Sequence, residues 1–369
     1  MSGIGISARR GLLVLHFRPR CIMLDPAPIF GPWMRTKRER PTRAFASDSL
    51  RPTPHSMSTT TVSAAQKARI LAEALPFIRA FHASTLVIRF GGGAMVDPAL
   101  KEGFARDVAL LRLVGMNPII VHGGGWRIDE LLRTMEMPIR EHRGMRIVDA
   151  PTMNVIEMVL GELNQDLVGL INRFGAKAVG LSGQDGRFIH ARPMIAPRDE
   201  TGAAAPDLGF VGDVEVDRLD VIRLLLSRDF IPVIMPIGVG RDGTAYQINS
   251  DIVAGQLARA LHAEKLVLMT NVPGVRDGDG RLAFVLTASD ADALLRKGVV
   301  PVEEQPRLTA ALAAVREGVR SVHIIDGGAP SALLLEVLTN SGVGTALRSD
   351  SGPHFLADSR SYFAASVDS

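Results

Sequence analysis

Pro118-Ile119-Ile120-Val121-His122-Gly123-Gly124-Gly125 is a short apolar run that ends in three glycines, and residues 128–135 after it space their apolar side chains as a helix does. Apolar side chains at every position, rather than every second one, are what a parallel strand covered on both faces requires. The same event occurs twice more: Leu86-Val87-Ile88 leads to Gly91-Gly92-Gly93, and Ala178-Val179-Gly180-Leu181 leads to Gly183-Gln184-Asp185-Gly186. Runs at 231–235, 265–269 and 322–325 are of the same type, and helical patterns at 100–114, 128–135, 153–174, 252–263 and 308–318 lie between them. Strand and helix alternate, which predicts an α/β fold: a three-layer αβα sandwich around a mostly parallel central sheet. Ahead of the first strand, residues 62–82 place Ile70, Leu71, Leu75, Phe77, Ile78 and Phe81 at helical spacing, an amphipathic helix with no crossover duty in the sheet.

A chain of 369 residues holds two packed lobes or one large α/β unit. With 46% hydrophobic and 22% charged residues it has the composition of a chain that folds. Its one cysteine, Cys21, excludes an intramolecular disulfide and a cysteine-built zinc site and fits a reducing compartment. No apolar run approaches the roughly 18 residues that a membrane-crossing helix needs. The net charge of +3 is unevenly spread: residues 1–56 hold ten Lys and Arg against three acidic residues, +7, which leaves −4 for the rest. A mildly acidic body lacks the basic face that nucleic-acid binding requires. Residues 1–56, rich in Arg and Pro and without periodicity, read as a leader or as the product of a start upstream of Met57. An organelle transit peptide is the alternative, with a twin-Arg export signal at Arg9 and Arg10 weaker.

Glycine at the tip of a strand lets backbone N–H groups approach an anion, and the helix N-terminus that follows adds a favourable dipole. Three such tips in one chain predict a crevice at the carboxyl ends of the strands. None of them spells a P-loop or a Rossmann fingerprint. Tyr246-Gln247-Ile248-Asn249-Ser250-Asp251 alternates polar side chains just before the apolar helix expected from Ile252, with Asp251 either an N-cap or an organiser of polar groups around a phosphate. His122 and His142 have no carboxylate partners at ligand spacing and read as structural, so no metal is assigned to protein side chains. Trp126 reads as packing beside the glycine turn.

These motifs resemble the N-acetylglutamate kinases of the amino-acid kinase superfamily. Phe90-Gly91-Gly92-Gly93-Ala94-Met95, Val121-His122-Gly123-Gly124-Gly125, Gly144-Met145-Arg146-Ile147-Val148-Asp149, Asp207-Leu208-Gly209-Phe210-Val211-Gly212, the 246–251 segment and Thr270-Asn271-Val272-Pro273-Gly274-Val275 carry the resemblance, in the family's order and spacing over about residues 62–347. It implies transfer of the γ-phosphoryl of ATP, with Mg2+, to the γ-carboxylate of N-acetyl-L-glutamate in arginine biosynthesis. It also implies an amino-terminal lobe at 57–235 for the acyl-amino-acid, a nucleotide lobe at 236–347 and a tail at 348–369. Carried over by residue, Gly124 and Gly125 would offer N–H groups, Arg146 would clamp a carboxylate, and Gln247 and Asn249 would complete the substrate site. Gly91, Gly92, Thr270, Asn271 and Gly274 would lie at the nucleotide. Asp251 would hold the two cationic posts.

Those posts are departures: arginines, Arg89 and Arg307, stand where the family pattern has lysines. Gln247 replaces an Asn, Gly93 an Asn and Gln184 a Lys, and Val302-Glu303-Glu304-Gln305 replaces a glycine turn. A planar guanidinium cannot take an ammonium's point position. Two functions are therefore open: a working acetylglutamate kinase whose surroundings have readjusted to arginine, or an impaired paralogue that binds ligand or serves as a regulatory subunit. The 62–82 helix resembles the extension that interlaces arginine-inhibited members into hexamers, which implies a homo-oligomer, dimer or hexamer. Glu336 and Gly342-Val343-Gly344-Thr345 resemble the wall of their arginine inhibitor site, where Phe77 replaces a frequent Tyr. The expected place of action is the cytoplasm, or an organelle stroma or matrix if 1–56 is a transit peptide.

Overall fold

Asp97 and Asp149 show how local chemistry sets the element ends. Each accepts backbone N–H groups of the turn that follows, Asp97 from Ala99 at 2.7 Å and Leu100 at 3.1 Å, Asp149 from Thr152 at 3.0 Å, so each opens a helix. The computed structural model describes residues 63–142, 144–196, 206–216, 218–340 and 342–350. The leader at 1–56 and most of the expected 348–369 tail lie outside the described residues.

In chain order, α1 (Ala64–Phe81) precedes β1 (Thr85–Phe90), α2 (Pro98–Leu113), β2 (Asn117–His122), α3 (Gly125–Thr134) and a small hairpin of β3 (Glu141–His142) and β4 (Met145–Arg146). Then come α4 (Ala150–Arg173), β5 (Lys177–Ser182), β6 (Ile189–Pro193), β7 (Gly212–Val216), α5 (Asp220–Ser227), β8 (Phe230–Met235), β9 (Ile237–Val239) and β10 (Ala245–Gln247). The last part holds α6 (Ser250–Ala260), β11 (Lys265–Thr270), β12 (Val285–Thr287), α7 (Ala288–Arg296), α8 (Gln305–Arg316), β13 (Ser321–Asp326), α9 (Ala332–Leu338) and β14 (Gly344–Arg348).

Eight strands form one sheet in the order β12-β14-β13-β11-β1-β2-β8-β5, parallel except where β13 meets β14. Side chains alternate across it. Leu86, Ile88 and Phe90 of β1 join a buried cluster with residues of α2, α4 and α9, while Val87 joins a second cluster with α6, α7 and α8 on the other face. The mostly parallel αβα sandwich expected from the sequence is thus the architecture of the chain. A smaller sheet, β10-β9-β6-β7, carries the 246–251 and 207–212 motifs together: Gln247 donates its N–H to Phe210 O at 2.8 Å, and Phe210 donates to Val148 O at 2.8 Å.

The central position of β1 matters most for function. Its neighbours are β11 and β2, so the tips after all three strands, at 91–93, 123–125 and 270–274, stand side by side at one end of the sheet. The fourth tip, 183–186, does not join them. It follows the edge strand β5, with β8 between it and β2, which corrects the expectation of three glycine turns around one crevice.

Candidate active site

Arg89 follows Val87 by two residues, and period-2 alternation sends it to the α6 side of the sheet. There it meets the start of α6. Arg89 Nε donates to Ser250 Oγ at 3.1 Å and Nη1 donates to the Met269 carbonyl at 2.9 Å. The same Nε stands 2.9 Å from Asp251 Oδ1, but its hydrogen points to Ser250, so the contact with the carboxylate is one of charge. Arg307, two residues into α8, approaches the other carboxylate oxygen, Nε to Oδ2, at 3.8 Å. One nearly buried carboxylate therefore lies between two guanidinium groups. Burial pushes the Arg307 guanidinium down from its ordinary value; the Asp251 charge pulls it back up and the Arg89 charge opposes that. Arginine stays protonated at any working pH.

Asp251 is not the N-cap. Asn249 is: its side chain accepts the Asp251 N–H at 2.8 Å, and the helix begins at Ser250, two residues before the expected start. The shorter reach from 249 satisfies the orphan donor and leaves the Asp251 carboxylate for the arginines.

Arg89 and Arg307 face a cavity of about 510 Å3, also lined by Gly91, Gly92, Gly93, Gly124, Gly125, Thr270 and Asn271. Gly92 has φ +74, a left-handed conformation that glycine adopts without strain, and a Cβ there would overlap the Asn271 carboxamide. The same carboxamide accepts the N–H of Gly93, tying the turn after β1 to the loop after β11. Thr270 Oγ1 accepts the Val272 N–H at 3.0 Å and shapes that loop. Gly124 packs on Leu160 and Leu163 of α4. Trp126, Glu303 and Glu304 complete the wall. The two glutamates bring negative charge to the cavity that the arginines offset.

Asp251 stands outside this wall, behind the two arginines it touches, and so do four other expected site residues. Arg146 is ion-paired to Asp129 of α3, one turn beyond Gly125. Gln247, at the end of β10, is tied to Phe210 and Val211, and Asn249 caps α6; neither lines the cavity. Gly274 sits against Thr345 of β14, where a Cβ would come within 3.0 Å of the backbone nitrogen.

His122 is buried and structural. Its Nδ1 donates to the Gly123 carbonyl at 2.8 Å and its Nε2 accepts from Asn164 Nδ2 at 3.2 Å, which fixes the tautomer and braces the 123–125 turn. Burial pushes its pKa down to about 4, so it is neutral at pH 7. Among the described residues no group of three or more His, Cys, Asp or Glu could hold a metal ion.

A second cavity, of about 800 Å3, is lined by Phe77, Phe81, Lys265, His323, Glu336 and Gly342 among others. His323 Nδ1 lies 2.5 Å from Glu336 Oε1, and Lys265 Nζ lies 3.3 Å from His323 Nε2. Burial pushes Glu336 up, but His323, the Val343 N–H and Lys265 outweigh it and hold the carboxyl below its ordinary value. Burial lowers Lys265 to about 8. Neither Lys265 nor His323 was singled out from sequence as a ligand contact; the signal was a cation and an imidazole inside otherwise apolar strands, where burial without a partner is costly.

Residues 84–326 match the model of the amino acid kinase family. The chain is 52% identical over 298 residues to the acetylglutamate kinase of Polynucleobacter asymbioticus, covering 80% of this chain and 99% of that one. It is 55% identical over 286 residues to the acetylglutamate kinase of Chromobacterium violaceum, covering 77% and 98%. The chain belongs to the amino acid kinase family, in its acetylglutamate kinase branch. Family membership makes it a phosphotransferase and implies ATP as donor. Among solved structures, N-acetylglutamate synthase from Neisseria gonorrhoeae complexed with coenzyme A and N-acetyl-glutamate superimposes with a TM-score of 0.68 at 25% identity over 77% of this chain. The same synthase complexed with coenzyme A and L-arginine gives a TM-score of 0.62 at 26% identity over 76% of this chain. This amino acid kinase spans only 64% and 65% of the length of those synthase chains.

Proposed function

We propose that the chain transfers the γ-phosphoryl of ATP to the γ-carboxylate of N-acetyl-L-glutamate, its place in arginine biosynthesis. The observation that carries this is the pair Arg89 and Arg307, joined by Asp251 behind them and lining a cavity formed by the turns after three adjacent strands. A carboxylate oxygen attacks the γ-phosphorus, the bond to the β,γ-bridging oxygen breaks, and ADP leaves with that electron pair. Both partners are anions and the reaction needs little covalent help, so rate comes from fixed positive groups around the equatorial oxygens. Arg89 and Arg307 supply full charges, and the Gly124 and Gly125 N–H groups at the start of α3 supply oriented dipoles. Gly91, Gly92, Thr270 and Asn271 receive the nucleotide, on the 236–347 side with the tip after β1. Arg146, Gln247 and Asn249 serve the acyl-amino-acid side, 57–235, through the α3 and α6 ends to which they are attached.

The donor set, backbone N–H groups and guanidiniums, fits a polyphosphate. Magnesium would be held mainly by phosphate oxygens and water, as its small octahedral shell prefers, and would neutralise charge on the nucleotide. The second cavity is the place for arginine as inhibitor: the Glu336 carboxylate is held ionised there, and the Neisseria gonorrhoeae synthase has been solved with L-arginine. The chain works in the cytoplasm as a homo-oligomer, dimer or hexamer, joined through the exposed apolar side of α1. The impaired-subunit reading finds no support in relatives named as kinases over nearly their whole length.

A coupled assay that detects ADP tests the function. ADP formation that depends on N-acetyl-L-glutamate is the expected result. No turnover in the wild-type chain, with turnover restored when Arg89 and Arg307 are both replaced by Lys, would overturn it in favour of the impaired subunit.

A further inference from the structure

At position 91 the backbone is extended, φ −170 and ψ −171, a conformation open to any residue. Backbone conformation therefore does not require glycine there. Space does: a Cβ at 91 would overlap Nη1 of Arg89, come within 2.6 Å of its Cζ and lie 3.1 Å from Nη2. A loose arginine would swing aside at little cost. Arg89 is not loose, because Ser250 Oγ, the Met269 carbonyl and the Asp251 carboxylate hold its head from three sides. Its Nη2 is the end that faces the turn of 123–125, lying 3.5 Å from where a Cβ at 123 would stand. The bare face of residue 91 thus closes a flat slot, and the slot sets where the cation stands relative to the opposite tip.

We propose that Gly91 is a positioning residue for Arg89: its missing side chain leaves the slot in which a planar guanidinium can do the work that the family pattern gives to a lysine. The inference rests on the kinase reading for its effect on rate, but its geometric content can be tested without turnover. A side chain at 91 and a guanidinium at 89 exclude one another. A lysine at 89 ends near the position of Cζ, lacks both Nη atoms and is free of the Met269 carbonyl, so it can turn away from a methyl group at 91.

The test compares wild type, Gly91→Ala, Arg89→Lys and the double variant as full chains, with kcat, KM for ATP and the thermal midpoint measured for each. Losing one placed donor typically costs about 10²–10³ in rate. Gly91→Ala is expected to lower kcat about 100-fold in the arginine background, with the thermal midpoint little changed, and at least tenfold less in the lysine background. Equal losses in both backgrounds would overturn the proposal, since the glycine would then act through its own backbone. No loss in the arginine background would overturn it as well. Should Gly91→Ala fail to fold, restoration of folding by Arg89→Lys supports the slot and failure to restore it counts against. If wild type turns over nothing, the kinase reading has failed on its own, and calorimetry with a nonhydrolysable ATP analogue on the same four proteins reads the coupling. Additive effects on affinity sink the proposal there.

Discussion

Asp251 touches two cations and makes a hydrogen bond to neither, which sets what its removal does. The carboxylate offsets the mutual repulsion of Arg89 and Arg307 and their partial desolvation; what it supplies to them is charge rather than hydrogen-bond acceptance. Asp251→Asn keeps the volume and deletes the charge. Breaking a fully buried charge pair costs about 3–5 kcal/mol, and these arginines keep some contact with water, so a loss of about 1–3 kcal/mol in unfolding free energy is expected. The arginines separate, and kcat falls about 100-fold or more while the helix cap from Asn249 persists. Urea unfolding and steady-state kinetics on the same preparation check both parts; an unchanged kcat would remove Asp251 from the site. Asp251 was legible in the sequence because polar residues alternate just ahead of an apolar helix. Ser250, Met269 and Gly91 were not legible as partners of Arg89, because a hydroxyl, a main-chain carbonyl and an absent side chain leave no chemical signature until the strands bring them together. Lys265 and His323 were hidden for a related reason: inside apolar runs they read as strand residues, and only the fold opens a cavity beside them.

Elements were legible in proportion to their burial. The strands inside the large sheet, from β13 across to β8, are continuous apolar runs because both of their faces are covered, and the edge strand β5 carries a shorter one. β12 and β14 at its other edge are short and mixed, and the small sheet of β6, β7, β9 and β10 lacks such runs, so neither was visible. α1 was visible through its apolar spacing, but the spacing could not say what each side covers. Phe77 and Phe81 are buried, whereas Ile70, Leu71 and Leu75 are 59%, 72% and 54% exposed. Three large apolar side chains on one exposed helix are a surface that a second copy can cover. Leu71→Glu places a charge there without touching the core, and is expected to shift the mass seen by light scattering to a smaller assembly while the thermal midpoint of the monomer holds. An unchanged mass would place the interface elsewhere.

At the scale of the whole molecule, buried imidazoles tie stability to pH. Burial pushes His122 down from 6.5 to about 4, with the Gly123 carbonyl opposing and Arg89 adding to the shift. His323 is likewise pushed from 6.5 to about 4, by burial first and then by Lys265 and Arg348, against the pull of Glu336. In the unfolded chain both titrate near 6.5, so between about pH 6.5 and 4 the unfolded state binds more protons and stability falls as pH falls. Each histidine is worth about 2 kcal/mol between pH 7 and pH 5 by this linkage. Asp107 runs the other way: burial raises it from 3.8 to about 6, so the folded state binds its proton more tightly and acidification through that window favours folding. Two histidines outweigh one aspartate, and the urea midpoint at pH 5 is expected well below that at pH 7. His122→Gln removes one titrating group while an amide can still bridge the Asn164 and Gly123 contacts. Because Asp107 offsets part of the histidine effect, the difference between the two midpoints should therefore shrink by well over half relative to wild type. A difference that stays at its wild-type size would mean that His122 is not the neutral, buried brace of the 123–125 turn.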